Sequence, residues 1–208
     1  RHGTPDSPFP KCRCYPGDRI GRGGEFHRCA RPPGARESSR ILKLEKINFR
    51  NQIRNADNGD CRKIIQLIDR VLGEWNDSVC LDDSEKDLND VEANYWNRGG
   101  AFFVLEQAGE VIGSHAILPL DPQAKLCTFK RLYLDREFRG AGAGQELMQW
   151  NIDWVRQRGF ERIEFWSDTR FDRAHRFFEK FGFEKSGEAR EMNDSHQTYW
   201  EYPFFKTL

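Results

Sequence analysis

Apolar residues between Asp60 and Gly73 recur three or four positions apart, which is the spacing of one stripe on a helix. Asp60 suits the N-cap of this helix and Gly73 its C-terminal stop. From Ser84 to Gly99 the helical spacing returns with an acidic opposite face, which predicts a second helix. Apolar and polar residues alternate over Lys43–Arg50 and predict a first strand.

After residue 100 the patterns of strand and helix alternate. The tetrapeptide 107–110 is a hairpin signal between two apolar runs. Strands are predicted at 101–106, 111–118, 126–134, 162–166, 183–187 and 197–205, and helices at 145–157 and 171–181. From residue 126 the order is β-α-β-α-β-β, which predicts an α/β (α+β) domain with a mixed sheet.

Residues 1–40 differ from the rest in composition. Pro, Gly and Arg dominate this segment and aliphatic residues are few, so it cannot bury enough apolar surface to offset its ordering entropy. It contains eight Arg and one Lys against four acidic residues, a net charge of +5 in a chain whose formal net charge is zero. We therefore expect a disordered basic extension at 1–40 and one globular domain at 41–208.

Charge and cysteine content narrow the function classes. Zero net charge gives no argument for nucleic-acid binding, and there is neither an apolar run that predicts a membrane helix nor the apolar core of a secretory signal. Six scattered cysteines are typical of free thiols in a reducing compartment, which favours the cytoplasm. The group Cys12, Cys14, His27 and Cys29 fits no structural zinc spacing, so no metal is expected.

A strand that runs into a glycine-rich turn and then a helix is suited to bind an anion, because backbone N–H groups and the helix dipole point the same way. The turn is Arg139–Gly144, followed by Gln145-Glu146. A Walker A loop requires Gly-Lys-Ser/Thr at this point, and a dinucleotide fingerprint requires G-x-G-x-x-G after a first strand. Neither fits, whereas Arg/Gln-x-x-Gly-x-Gly/Ala fits in full.

That pattern resembles the coenzyme A loop of the GNAT acetyltransferase superfamily. The segment Ala174–Phe183 is similar to the next helix of the family, Ala-x-x-x-Tyr-x-Lys-x-Gly-Phe, and follows at the expected distance after one strand. The resemblance covers residues 43–205, with a strong core at 126–183. It implies a mixed, mostly antiparallel sheet flanked by helices, in which a splayed strand pair holds acetyl-coenzyme A.

The resemblance also implies the reaction, in which an amine attacks the thioester directly after losing its proton. Backbone groups of the strand before the turn would pair with the pantetheine arm, and amides of the turn would bind the pyrophosphate. The cofactor-binding residues implied in this way are Leu132, Tyr133, Leu134, Arg139, Gly140, Ala141, Gly142, Ala143, Gly144, Gln145, Ala174 and Phe178.

Several positions depart from the family pattern. The Tyr that often protonates the thiolate is Phe178 here, the Asn three residues before the helix Ala is Phe171, and the Glu that often serves as base is Thr128. The acid and base are therefore open, and the catalytic candidates are His115, Thr128, Asp168 and His175. These losses also motivate an alternative function, an acyl-coenzyme A-binding regulatory or interaction domain with weak catalysis.

The acidic segment around Asp82–Glu92 predicts an acceptor site that slightly favours a small cationic amine over a protein, although a solvated helix face fits the same pattern. Candidate acceptor-binding residues are Glu92, Tyr95, Trp96 and His196. A homodimer is compatible with the sequence.

Overall fold

The computed structural model describes residues 48–193, 195 and 198–208. The predicted extension at 1–40, the Cys/His group within it and His196 lie outside the described residues, as does most of the predicted strand at 43–50. Phe49–Gln52, at the end of that prediction, forms a 3-10 turn, and the first strand of the described part follows at Ile53–Asn55.

The described residues form eight strands and four α-helices. The strands are β1 Ile53–Asn55, β2 Ala101–Gln107, β3 Glu110–Asp121, β4 Leu126–Leu134, β5 Arg162–Asp168, β6 Glu184–Lys185, β7 Arg190–Met192 and β8 Tyr199–Thr207. The helices are α1 Cys61–Leu72, α2 Val91–Asn94, α3 Ala143–Gln157 and α4 Asp172–Lys180. Helix α1 and strands β2 to β5 confirm the apolar spacing, whereas the short strand β7 was not predicted.

The strands form one mixed sheet in the order β1-β2-β3-β4-β5-β8-β6, with β7 paired to β8. All neighbours are antiparallel except β4 and β5, which are parallel. The parallel pairing covers only Leu126–Thr128 against Arg162–Glu164. Both strands continue beyond it without pairing to each other, which confirms the mostly antiparallel sheet with one splayed pair.

Helices cover both faces of the sheet. One apolar cluster joins α3 and α4 to the sheet through residues such as Leu147, Phe165 and Phe178. The other joins α1 and α2 to the opposite face through residues such as Leu67 and Val91. Strands buried on both faces carry continuous apolar runs, which explains why β2 begins with five consecutive buried residues.

The predicted long helix from Ser84 is wrong, because α2 has only four residues, between 3-10 turns at Lys86–Asn89 and Trp96–Arg98. The local reason is Asp90, whose backbone is extended (φ −153°) and whose Oδ1 accepts the Ala93 N–H at 2.8 Å. An acid predicted on a helix face therefore caps a new, shorter helix instead.

The N-terminus of α1 also differs in detail. Asp60 directly precedes the helix, as predicted, but its carboxylate binds Arg54 at 2.7 Å rather than capping the helix. Asp57 supplies the side-chain cap, accepting from the Gly59 N–H at 2.8 Å. Asp57 and Asp60 thus cap the 3-10 turn Asn58–Asp60 reciprocally, since Asp60 also accepts the Asp57 N–H at 3.1 Å.

Two further sequence expectations concern thiols and membranes. Cys61 and Cys127 carry free thiols, as predicted, whereas Cys80 is disulfide-bonded, so the prediction is wrong at that position. Within the described ranges, every helix is too short or too polar to cross a membrane.

A β-bulge shapes the edge of the gap between β4 and β5. Arg131 has a left-handed backbone (φ 55°), and the register with β3 shifts between Ser114 and Ala116. The Ser114 hydroxyl donates to the Arg131 carbonyl at 2.8 Å. A bulge in one strand increases its twist and bends it away from a neighbour, so this bulge favours the separation of β4 from β5.

A buried ionic cluster fixes the bulge to the segment before α2. The Arg131 side chain is 8% exposed and binds Glu85 at 3.1 Å, Asp87, and the Ser84 carbonyl at 2.5 Å. The Tyr95 hydroxyl also donates to Asp87. Burial alone would raise the pKa of Asp87, but the charge of Arg131 outweighs this effect and lowers it. The cluster thus ties β4 to the segment before α2, which also lines the gap.

Replacement of Arg131 tests this cluster. Arg131→Met leaves Glu85 and Asp87, both largely buried, without their positively charged partner, which costs about 3–5 kcal/mol, so the urea midpoint should fall at pH 7. Arg62→Met, at an exposed position of α1, should change stability by less than about 0.5 kcal/mol. Because the folded pKa of Asp87 is lowered, its contribution is present above the unfolded pKa of about 3.9 and is lost as pH falls below it. Equal midpoints for the two variants at pH 7 would contradict the cluster.

Candidate active site

An open cavity of about 420 Å³ occupies the gap between β4 and β5. Its walls include residues 128–133 of β4 and 165–168 of β5. Helix α4 contributes Ala174 and Phe178, and the segment before α2 contributes Ser84 and Glu85. The cavity is therefore formed where the two strands stop pairing.

The chain leaves the far end of this gap through the glycine turn. Gly140 (φ 88°) and Gly142 (φ 99°) take left-handed conformations, which favour glycine, and Gly142 directly precedes α3. The first α-helical hydrogen bond at this end runs from the Glu146 N–H to the Gly142 carbonyl at 3.1 Å. The amides of 143–145 therefore have no partner one turn back in the helix and are available to an anion.

Arg139 fixes the turn rather than offering a free charge. Its Nε donates to the Leu134 carbonyl at 2.9 Å, and its two terminal nitrogens donate to Glu74 at 2.8 and 2.6 Å. This paired fork is geometrically specific. The positive charge expected at the turn is consequently balanced by Glu74, in the 3-10 turn Gly73–Trp75.

Arg173 is a second cation at the turn, and no sequence pattern singled it out. It lies in the first turn of α4, and its Nη2 is 3.8 Å from the position that a Cβ on Gly140 would occupy. Its guanidinium has no ion pair among the residues that the structure describes. Because about 30 residues separate the two motifs along the chain, only the fold brings this side chain to the turn.

Five of the other predicted cofactor residues lie in the wall of the cavity or in the core beside it. Leu132, Tyr133, Ala174 and Phe178 line the cavity. Leu134 packs against the core that α3 and α4 share. The structure thus brings both motifs to one gap, while their contact with the cofactor stays a prediction.

His115 is completely buried in β3 and lines the inner part of the cavity. Both ring nitrogens lack a hydrogen-bond partner among the described residues, and the ring stands edge-on to Phe129 at 4.5 Å. Burial lowers the pKa of His115 to about 3. The imidazole is therefore neutral at physiological pH, so it can take part in a hydrogen bond but has no positive charge to offer.

The other catalytic candidates are held by local structure. The Asp168 carboxylate accepts from Arg170 Nη2 at 2.6 Å, and the Asp168 carbonyl accepts from His175 Nε2 at 2.9 Å. Burial lowers the pKa of His175. Thr128, which lines the cavity, donates weakly to the Phe129 carbonyl at 3.4 Å. Asp168 is thus engaged by Arg170, and His175 uses its Nε2–H to hold the Asp168 carbonyl.

The charged residues that line the cavity are almost all ion-paired. Within the described part of the chain, the carboxylates that line the cavity bind arginines: Asp77 and Asp168 bind Arg170 (2.9 and 2.6 Å), Glu85 binds Arg131 (3.1 Å) and Glu201 binds Arg190 (2.7 Å). Lys130, which also lines the cavity, has no ion pair of this kind among them. Its side chain is exposed and lines the cavity. Partial desolvation, and then the charge of Arg131, lower the pKa of Lys130.

Of the predicted acceptor residues, the three that the structure describes do not line the cavity. Tyr95 is buried in the ionic cluster, Trp96 Nε1 donates to the Ala56 carbonyl at 2.9 Å, and Glu92 accepts from Asn58 at 3.3 Å. Trp166, which was not singled out for this role, lines the cavity and is 41% exposed. Its alternation with buried Phe165 in β5 is the signal that places it on this face.

A glycine turn beside a splayed strand pair, on a mixed sheet covered by helices, defines an acyl-coenzyme A transferase type of site. The family model described as the acetyltransferase (GNAT) family matches residues 68–183, more than half of the chain. The chain therefore belongs to the GNAT acetyltransferase family. This membership confirms the predicted acetyltransferase domain and its cofactor, acetyl-coenzyme A.

Comparisons with individual proteins agree on the fold. The chain is 29% identical over 131 residues to N-acetyltransferase 8F1 of Rattus norvegicus, covering 60% of this chain and 58% of that protein. The chain spans between 47% and 61% of the curated relatives it matches. Two solved structures share the fold: a GNAT acetyltransferase of Staphylococcus aureus (TM-score 0.65, 20% identity, 75% of this chain, 98% of that chain) and a Sinorhizobium meliloti phosphinothricin acetyltransferase in complex with AcCoA (TM-score 0.60, 19% identity, 75% and 87%).

A charge placed in the glycine turn tests the anion site. Gly142→Glu combines strain at a left-handed residue with repulsion of a phosphate, so calorimetric titration should show that acetyl-coenzyme A binding is lost. Gly109→Glu is the matched control, because Gly109 is also left-handed (φ 81°) with nothing within 4 Å of its added Cβ, in the β2–β3 hairpin. Wild-type affinity in the Gly142 variant would rule out the turn as the phosphate site.

Proposed function

We propose that the protein transfers an acetyl group from acetyl-coenzyme A directly to a primary amine. The observation that carries this proposal is the short β4–β5 pairing, three residues long, which leaves a 420 Å³ gap beside the glycine turn. A linear amide arm fits the unpaired edge of β4, and a diphosphate fits the amides that begin α3. When bound, acetyl-coenzyme A supplies an acyl group activated as a thioester.

The residues that would hold the cofactor divide into two sets. Backbone groups of Leu132 and Leu134 would pair with the pantetheine arm, and amides between Gly140 and Gln145 would bind the pyrophosphate, with Arg173 adding a positive charge. Gly140 and Gly142 support this assignment, because their positive φ values bend the backbone into a turn that side chains rarely allow. Arg139 would act through the turn, as a positioning residue.

Proton transfer is assigned to water. Every described carboxylate in the cavity wall is engaged by an arginine, so none of them is offered as the base. Formation of the C–N bond breaks the C–S bond, and the ammonium proton leaves to solvent. Phe178 cannot donate a proton, but a thiol pKa of roughly 8.5 lets the sulfur leave as a thiolate.

The acceptor is proposed as a primary amine with no need for a second positive charge. The expected preference for a small cationic amine relied on the acidic segment. The carboxylates of that segment closest to β4 are Glu85 and Asp87, and both bind Arg131. A cytoplasmic location and a homodimer stay predictions.

Thiol release on a panel of primary amines tests the activity, and its pH dependence tests the proton route. With water as base, log kcat/KM should rise with slope one up to the pKa of the acceptor amine, and the limb should move when an amine of lower pKa is used. No limb is expected near pH 6.5, because the pKa of His115 is about 3 and that of His175 is lowered. A limb near pH 6.5 that vanishes in His115→Gln would contradict the water route.

Arg173 gives a separate test of cofactor binding. Arg173→Gln removes a charged contact to phosphate, and because such contacts contribute about 1.5–3 kcal/mol, Kd for acetyl-coenzyme A should rise at least about 10-fold. Arg176→Gln, at an exposed position on the same helix, is the control and should leave Kd unchanged. Equal weakening in both variants would indicate a general charge effect rather than a contact.

A regulatory domain without turnover is the second candidate, and the buried Phe178 favours it. Micromolar binding of acetyl-coenzyme A with no thiol release on any amine would support it over the first.

A further inference from the structure

We infer that the acceptor carries a carboxylate beside its amine, as an amino acid does, and that the Lys130 ammonium binds this carboxylate. The inference rests on the proposed function and narrows its substrate class. It depends on the position of Lys130, on the charges around it, and on the aromatic surface across the gap.

Strand alternation places Lys130 on the face of β4 that points away from α3 and α4, which we call the acceptor face. Cys127 and Phe129 are buried in the core under α3 and α4, so Thr128 and Lys130 lie on the opposite face. Thr128 is the last β4 residue that pairs with β5. Lys130 therefore lies two residues into the gap, at the end opposite the glycine turn.

Ion pairing leaves Lys130 as the charged group without a partner on the described part of the cavity wall. The cavity carboxylates already bind Arg131, Arg170 and Arg190. An acceptor with two positive charges would approach Lys130 without gaining a free carboxylate, which is unfavourable. An acceptor with a carboxylate would pair with Lys130 and leave the existing ion pairs intact, so the site would gain a charge-assisted contact.

Trp166 supplies an apolar surface opposite Lys130. Phe165 is buried in the core shared with Phe129, so Trp166, the next residue of β5, lies on the acceptor face and is 41% exposed. The Arg190 guanidinium lies 3.9 Å from the centre of its ring, which fixes the indole in place. A lysine that binds a carboxylate and an exposed indole in the same cavity fit an amino acid with an apolar side chain.

Matched acceptors test the inference. Alanine, leucine and phenylalanine are each compared with their amides and with the corresponding decarboxylated amines, and kcat/KM is corrected for the fraction of unprotonated amine. In the wild type the acid should exceed both analogues by about 10- to 100-fold for at least one side chain. Lys130→Met should remove that preference and keep turnover of the decarboxylated amine. Lys130→Arg should retain the preference, and Lys86→Met, exposed on a 3-10 turn and outside the cavity wall, should not change it.

Calorimetry with the same acids in the presence of coenzyme A gives a readout that does not require turnover. Binding of the preferred acid should be lost in Lys130→Met and kept in Lys86→Met. Equal kcat/KM for acid and amine in the wild type would overturn the inference, and so would an equal loss on every acceptor in Lys130→Met, which would make Lys130 a general base. If no amine is acetylated but the acid still binds through Lys130, the proposed function fails while the binding site stands.

Discussion

The separation of β4 from β5 is the constraint on which the site depends. Parallel strands normally continue their ladder, because each unpaired N–H and C=O group in a sheet interior costs free energy. Here the ladder stops after three residues of each strand, and the unpaired edges face a cavity. The fold therefore has to stabilise an arrangement that strand pairing alone would close.

Arg131 explains how the gap is kept open. Its left-handed backbone makes the bulge, and its guanidinium draws Glu85 and Asp87 against the face of β4. One residue thus bends β4 and anchors the segment before α2 against it. The same pairing offsets part of the negative charge of the acidic segment, since one guanidinium engages two carboxylates, so structural and electrostatic consequences share one cause.

The sequence predicted the parts of the fold that depend on local spacing. Helix α1, the β2–β3 hairpin and the two motifs around Gly142 and Ala174 follow from apolar periodicity and glycine positions, and the structure has them. The helix predicted from Ser84 failed because its periodicity was real but its acids bond elsewhere: Asp90 caps α2 and Asp87 binds Arg131. Partners that lie 44 residues apart leave no local signal.

The candidate site also divides into features with a local sequence signal and features that depend on distant partners. The glycine turn could be assigned from sequence because its geometry is local, whereas the state of each charged group could not. Arg139 stands in the motif yet is balanced by Glu74. Arg173 lies at the turn and Lys130 lines the cavity, and neither has an ion pair among the described residues. A chain with zero net charge can therefore present single cations that have no ion pair among the described residues, because the pairing within the fold is uneven. The proposed specificity rests on those unpaired cations rather than on the composition of the acidic segment.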